Sequence, residues 1–452
     1  MSKKIPIIAI VGRANVGKSS LFNSILRRRE AIVAEEAGTT RDSIMAKASY
    51  NNQDFWIVDT AGVKDPIDDF EFTIQEQIIQ ASDSADVIWV VVEADVPIVD
   101  EDRRVAKMAL KSNKPVFLVI NKIDKVKNVE VPIYQKLGIK NIELTSAKQN
   151  RGVDQLLANV VKEIPKVKLT EDDDRLRIAL VGRPNVGKSN LFNALAKKQQ
   201  ALVSDRAGTT RDINRSIVRY KGREVELLDT AGIRKNGKIK VGIERFSVIR
   251  TLSAIEQADV CFVLMDVNEF NVQLDQKIAG MVKDSGKGLV LVVSKWDSYE
   301  DKDPFTRDQL AKRISREFDF VPWAPLIFTS SITGQNVTKL YDLALDIDQV
   351  RQTRIATKDL NNWLKEAIEG HPPAGLKNRN PKLNYMVQET DNPIPAFKIF
   401  GSATKFLHWS YKRYLETRLR QKFGYEGTPV QLWFIEKHVA HKHGRSPTKE
   451  IK

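Results

Sequence analysis

Apolar residues come in short runs along this chain, each closed by a glycine or a polar segment. The first half reads "IPIIAIVG", "DFWIVDT", "DVIWVVVEA" and "PVFLVIN". The second reads "LRIALVG", "EVELLDT", "DVCFVLMD" and "GLVLVVS". Runs rich in β-branched residues, with little polar alternation, predict strands buried on both faces. Segments of helical, amphipathic spacing lie between them. That alternation predicts an α/β fold with mainly parallel sheets covered on both sides.

The pattern occurs twice. "GRANVGKSSLFN" from Gly12 returns as "GRPNVGKSNLFN" from Gly182. "AGTTRD" at Ala37–Asp42 returns at Ala207–Asp212, and "DTAG" at Asp59–Gly62 returns at Asp229–Gly232, always 170 residues on. So long an offset denotes a duplicated domain, because solenoid repeats have periods of roughly 20–50 residues. The expected organisation is a first domain over 1–166, a charged linker over 167–175, and a second domain over 176–351. A smaller third domain follows over 352–437, with a basic tail over 438–452.

Both "GRANVGKS" and "GRPNVGKS" satisfy G-x-x-x-x-G-K-S between a strand and a helix, the context of a true phosphate loop. The glycines Gly12, Gly17, Gly182 and Gly187 let the backbone turn its N–H groups inward, and the helix N-terminus adds positive potential. Val16, Ser20, Val186 and Asn190 complete the lining. Lys18 and Lys188 are expected at the β- and γ-phosphates, and Ser19 and Ser189 at a magnesium ion. Asp59 and Asp229, at strand ends, are expected in the same magnesium shell. Thr60, Ala61, Thr230 and Ala231 follow them, and Gly62 and Gly232 can present a backbone N–H to the γ-phosphate. Thr40 and Thr210 are the expected switch threonines that complete magnesium ligation.

The base reader of the first domain is "NKID" with a later "TSAK". Asp124 can accept hydrogen bonds from the N1–H and amine of guanine, which adenine lacks. Asn121 is expected to brace the loop, Lys122 to cover the ring, and the N–H of Ala147, beside Ser146, to meet O6. The second domain departs from this. Ser294 stands where Asn is expected in "SKWD", ahead of Lys295 and Asp297, and "TSSIT" has Ser330 followed by Ser331 in place of Ala. One or two lost hydrogen bonds, each about 1 kcal/mol net, predict weaker guanine-nucleotide binding there. Val63 and Ile233 follow the two "DTAG" motifs, and neither side chain can orient an attacking water.

Composition narrows the setting. One cysteine, Cys261, excludes an intrachain disulfide framework and reads as a core residue. The opening "MSKKIPIIAIVG" imitates a signal peptide but ends in a glycine loop without a cleavage pattern, so it is read as a strand. No apolar run reaches the ~18 residues of a membrane span, and a cytoplasmic monomer is expected. Of the net charge of +14, residues 351–452 carry +10, with 19 Lys and Arg against 9 Asp and Glu. Such an end suits a polyanion: nucleic acid or an anionic membrane surface.

These motifs together resemble the Der, or EngA, family of bacterial GTPases with tandem G domains. The likeness spans nearly the whole chain, including "NPKLNYMVQ", "AFKIFG" and "HWSYKRYLETRLRQKFGYEGTPVQLWF". It implies a KH-like C-terminal domain, binding and hydrolysis of GTP to GDP, and assembly of the large ribosomal subunit with contact to its rRNA. It also implies stimulation by potassium, held with help from Asn15 and Asn185. Alternatives are a nucleic-acid-binding scaffold with structural G domains, and a GTPase at a membrane.

Read on its own residues, "FLHWSYKRYLETRLRQKF" has helical spacing. Trp409, Leu415 and Leu419 are expected on its apolar face, and Lys412, Arg413, Arg418, Arg420 and Lys422 elsewhere. KH domains clamp phosphates with G-x-x-G, whereas "GSAT" at Gly401 lacks the second glycine. The tail holds three of the five histidines, read as part of a basic arm and not as a metal cluster.

Overall fold

In a computed structural model the described residues are 5–26, 45–51, 53–60, 78–79, 81, 84–164, 175–198, 214–229, 248–269, 272–300, 305–373, 379–390 and 392–436. The chain divides into two compact units, Met1–Leu345 and Asp346–Lys452.

The first unit contains both copies of the repeat, each built on a six-stranded sheet. In the first copy β1 (Ile7–Val11), β2 (Met45–Tyr50), β3 (Gln53–Asp59), β4 (Val87–Glu93), β5 (Val116–Asn121) and β6 (Asn141–Leu144) lie in the order β2-β3-β1-β4-β5-β6. All neighbours are parallel except β2 with β3. Strands β1, β4 and β5 are buried at every position, as their unbroken apolar runs require. The order reverses at β1, which has β3 on one side and β4 on the other. The crevice beyond the carboxyl end of such a strand is where open α/β sheets receive ligands.

The second copy repeats this with β7 (Leu176–Val181), β8 (Asn214–Tyr220), β9 (Arg223–Asp229), β10 (Val260–Asp266), β11 (Gly288–Ser294) and β12 (Leu326–Phe328), ordered β12-β11-β10-β7-β9-β8. Cys261 is buried in β10. The antiparallel strands β2 and β8 and the short edge strands β6 and β12 were not foreseen. Their patterns mix polar and apolar residues and carry no strong strand signal.

One apolar cluster runs through both copies. It includes Ile7, Ala9 and Trp56 of the first, and Ala179, Leu252 and Ile255 of the second. The helix Val248–Gln257 contributes to it with a nearly continuous buried face.

The second unit has a three-stranded sheet ordered β13 (Lys382–Gln388), β14 (Ala396–Ser402), β15 (Gln431–Glu436). The first pair is antiparallel and the second parallel. The helices Thr357–Gly370 and Trp409–Phe423 supply Leu360, Trp363, Leu364, Tyr411, Leu415 and Leu419 to a core shared with Leu383, Met386, Phe397 and Ile399. Two sequence expectations need correction here. Trp409 is 61% exposed rather than on the apolar face. Tyr411, Leu415 and Leu419 follow the i, i+4 spacing of one face, and Trp409 lies off it. Arg420 does not project outward either: it donates to the carbonyls of Tyr425 and Thr428 and to the Glu416 carboxyl.

Among the described residues no helix is long and apolar enough to cross a membrane, and no group of His, Cys, Asp and Glu is placed to hold a metal.

Candidate nucleotide-binding sites

The phosphate loop of the first copy leaves β1 and enters the helix Lys18–Leu26. Its glycines are required by close approach. A Cβ on Gly12 would stand 2.5 Å from the Val91 carbonyl oxygen, and one on Gly17 would stand 2.4 Å from Asn121 Nδ2. Asn15 has a left-handed backbone, φ 66°. The buried Lys18 curls back so that Nζ donates to the carbonyls of Gly12 (2.7 Å) and Arg13 (2.5 Å). That places an ammonium group in the mouth of the loop, where phosphate oxygens can replace the carbonyls as acceptors. Ser19 Oγ lies 2.5 Å from Asp59 Oδ2. A hydroxyl and a carboxylate so close, at a helix N-terminus, form an all-oxygen pair suited to a hard cation such as magnesium. Thr60 is turned away and donates to the Ile10 carbonyl.

The loop expected to read the base follows β5. The Asn121 side chain donates to the Val16 carbonyl (3.1 Å), while its oxygen accepts from Thr145 Oγ1 and the Ala147 N–H. One amide thus ties the phosphate loop to the segment that follows β6. Lys122 donates to the Asn15 carbonyl and to Glu93. Asp124 accepts from Ser146 Oγ at 2.5 Å, and that bond, the largest influence, holds its carboxyl below the usual carboxylate range. Gly17, Ser20, Asn121, Lys122, Asp124 and Ala147 line a cleft of about 1180 Å³, ample for a nucleoside triphosphate.

The second copy keeps the cradle. Lys188 Nζ donates to Gly182 O (3.1 Å) and Arg183 O (2.7 Å), and Asn185 has φ 63°. Lys295 pairs with Asp266 as Lys122 does with Glu93. Ser294 is only half a substitute for Asn121. Its hydroxyl lies 2.6 Å from the Val186 carbonyl, keeping the tie to the phosphate loop, and 2.9 Å from the Met265 carbonyl. Its one proton can serve only one of these carbonyls at a time, and the shorter side chain lacks the amide oxygen with which Asn121 accepts from Ala147. Ser189 and Asn190 lie in the first turn of the helix Lys188–Lys198, Asp297 in the turn Trp296–Ser298, and the fully buried Ser330 pairs through its backbone N–H with the Gln335 carbonyl.

Thr40, Ala61, Gly62, Thr210, Thr230, Ala231, Gly232, the Asp229 side chain, Val63, Ile233, most of 167–175 and the tail lie outside the described residues.

One pairing escaped the sequence reading. Arg13 Nε contacts Asp102 at 2.7 Å, and Arg183 Nε contacts Asp275 at 3.5 Å. Each phosphate loop is thus anchored by its second residue to an acid on the helix that follows the fourth strand of its copy. The two acids are 173 residues apart, close to the repeat offset, and that recurrence was the available signal.

Comparison with known proteins bears on the family and the domain content. The model for 50S ribosome-binding GTPases matches residues 7–122 and 177–295. The model for the C-terminal KH-domain-like region of EngA bacterial GTPase enzymes matches 354–434. GTPase Der of Herpetosiphon aurantiacus is 42% identical over 95% of this chain and 96% of its own length. This chain belongs to the GTPase Der family. GTPase Der of Agathobacter rectalis is 40% identical over 94% of this chain and 97% of its own. A solved structure of Era with MgGDPNP and nucleotides 1506–1542 of 16S ribosomal RNA covers 58% of this chain and 93% of that chain. Its identity is 21% and its TM-score 0.29. Membership in the Der family accounts for the two G domains with mostly parallel sheets, the KH-like region, and GTPase activity.

Proposed function

We propose that this GTPase acts in assembly of the large ribosomal subunit, with GTP hydrolysis timing its attachment to and release from rRNA-containing particles. The observation that carries the reading is the duplicated cradle, in which Lys18 and Lys188 each point into their own glycine loop. The basic C-terminal region supplies charge for a polyanionic partner.

In each site the loop N–H groups and the lysine ammonium offset the negative charge of the β- and γ-phosphates. Asp124 and Asp297 accept from the guanine edge. Asn121 holds the base and phosphate halves of the first pocket in register. Magnesium would be held by Ser19, Asp59 and Thr40 or by Ser189, Asp229 and Thr210, and potassium with help from Asn15 or Asn185; both would supply positive charge against the negative charge of the phosphates. Gly62 and Gly232 offer a backbone N–H to the γ-phosphate. Val63 and Ile233 leave water orientation to groups other than the side chain at that position.

The test is GTP hydrolysis by wild type, Lys18→Ala and Lys188→Ala, in potassium and in sodium, with and without large ribosomal subunits. Each substitution is expected to silence its own site, and potassium and subunits to raise the rate of the intact protein. Wild-type rates in both variants would defeat the site assignments. Sedimentation with subunits that ignores nucleotide state would defeat the switch.

A further inference from the structure

The second unit carries several cation–aromatic pairs. Arg413 lies over Trp409 at 5.4 Å, Lys412 over Phe434 at 5.3 Å, and Lys398 over Trp433 at 5.8 Å. Phe406 has both Lys405 (5.4 Å) and Arg379 (5.8 Å) against it. All five lie within Asp346–Lys452, the unit that also carries most of the net positive charge.

Four of them form one ridge. Phe406 sits in the turn Thr404–Phe406, and Trp409 opens the next helix. Lys412 and Arg413 stand three and four residues on, the spacing that stacks side chains on one helical face. Phe434 belongs to β15, the strand at the sheet edge, and Lys405 comes within 4.0 Å of Glu436 on that strand. Trp409 is the ridge's most exposed ring. It is 61% exposed, with His408 beside it at 5.5 Å between ring centres, so most of its face is open to solvent.

We propose that this ridge is a docking surface for single-stranded RNA. The proposal rests on the reading above that the chain acts on ribosomal RNA. A ring with a cation beside it offers an unstacked base a π-face and gives the adjoining phosphate a counter-charge. A duplex keeps its bases stacked and offers only phosphates to the cations. The rings are interleaved with charges instead of merged into one apolar patch, which suits a nucleic acid strand better than an acyl layer. Nor can Gly401 serve as half of a glycine clamp in this domain. A Cβ there would meet the Lys382 carbonyl oxygen at 2.1 Å, so glycine is demanded by the pairing of β13 with β14. Stacking on the ridge takes the place of that clamp.

The experiment uses full-length protein and fluorescence anisotropy with two probes, a labelled 12-nucleotide oligouridylate and a 16-base-pair RNA duplex. Trp409→Ala is expected to weaken oligouridylate binding roughly 5- to 100-fold while leaving duplex binding unchanged, and Trp409→Phe to restore most of the loss. Arg413→Gln and Lys405→Gln are each expected to lower the salt slope by about one. Unchanged oligouridylate binding by Trp409→Ala overturns the proposal. Equal loss on both probes, or wild-type binding to phosphatidylglycerol vesicles but to neither RNA, also overturns it. Co-sedimentation with large ribosomal subunits separates the two readings. If wild type and Trp409→Ala sediment equally, the ridge is wrong and the ribosomal role stands; if wild type does not sediment at all, the role itself fails.

Discussion

Trp56 donates its indole N–H to Glu256 across 200 residues of sequence, at 2.7 Å and in full burial. The same carboxyl accepts from the backbone N–H of Ile5 at 3.2 Å. A side chain on the last turn of a second-copy helix thus holds two strand regions of the first copy. The position equivalent to Trp56, 170 residues on, is Glu226, which pairs with Arg177 and Arg215 inside its own sheet. Glu226 has no side-chain N–H to donate, so that position cannot form the equivalent of the Trp56 bond.

Glu256→Ala is expected to leave the indole N–H buried without an acceptor, a loss of about 1–3 kcal/mol. Hydrogen exchange along Gln53–Asp59 should quicken accordingly. Trp56→Phe removes the donor, so adding Glu256→Ala to it should cost less than Glu256→Ala alone. Strict additivity in that double-mutant cycle would count against a direct bond.

Ser294→Asn should strengthen the second site. The longer amide can keep the bond to the Val186 carbonyl and add an acceptor for the following loop, as Asn121 does. The gain of one or two hydrogen bonds predicts several-fold tighter GDP binding, measured by calorimetry in a Lys18→Ala background. Unchanged affinity would mean that Ser294 costs the site nothing.

The Arg13–Asp102 pair predicts a positioning effect on the phosphate loop. Arg13→Ala frees the residue whose carbonyl faces Lys18 and should lower GTP affinity at the first site. Asp102→Ala should do the same, and the double variant should be little worse than either. Reduced affinity in Arg13→Ala with wild-type affinity in Asp102→Ala would show that the arginine acts without its partner.

Acid sensitivity of the first site follows from Asp124. Its ionised form is the one proposed to accept from guanine, and the Ser146 hydroxyl lowers its pKa. With a depressed value in the folded protein, the charge persists below the usual carboxylate range and is lost only as pH falls through that lower value. Ser146→Ala removes the largest cause, so the acid limb of GDP binding should move to higher pH while affinity at pH 7 changes less. An acid limb that stays in place would assign the lowering to other groups.

Much of this was legible in the residues. Glycine spacing and the lysine after it specify a loop whose backbone must be crowded, and Gly12 and Gly17 are crowded, by Val91 and Asn121. The buried strands β1, β4 and β5 were legible because nothing polar interrupts them. Long-range partners were not. Nothing near Trp56 announces Glu256, and nothing near Arg13 singles out Asp102 among the acids of "DEDRR". Trp409 was misassigned because apolarity was read without its angle around the helix.

The shared apolar cluster bears on how this molecule can be dissected. A fragment ending near residue 164 would retain Trp56 and the start of β1 but lose the helix that covers them. Such a truncation leaves a raw hydrophobic wall with an orphaned donor in its middle, prone to self-association. Activity measured on separated halves would describe damaged pieces, so the two nucleotide sites are better silenced one at a time within the intact protein.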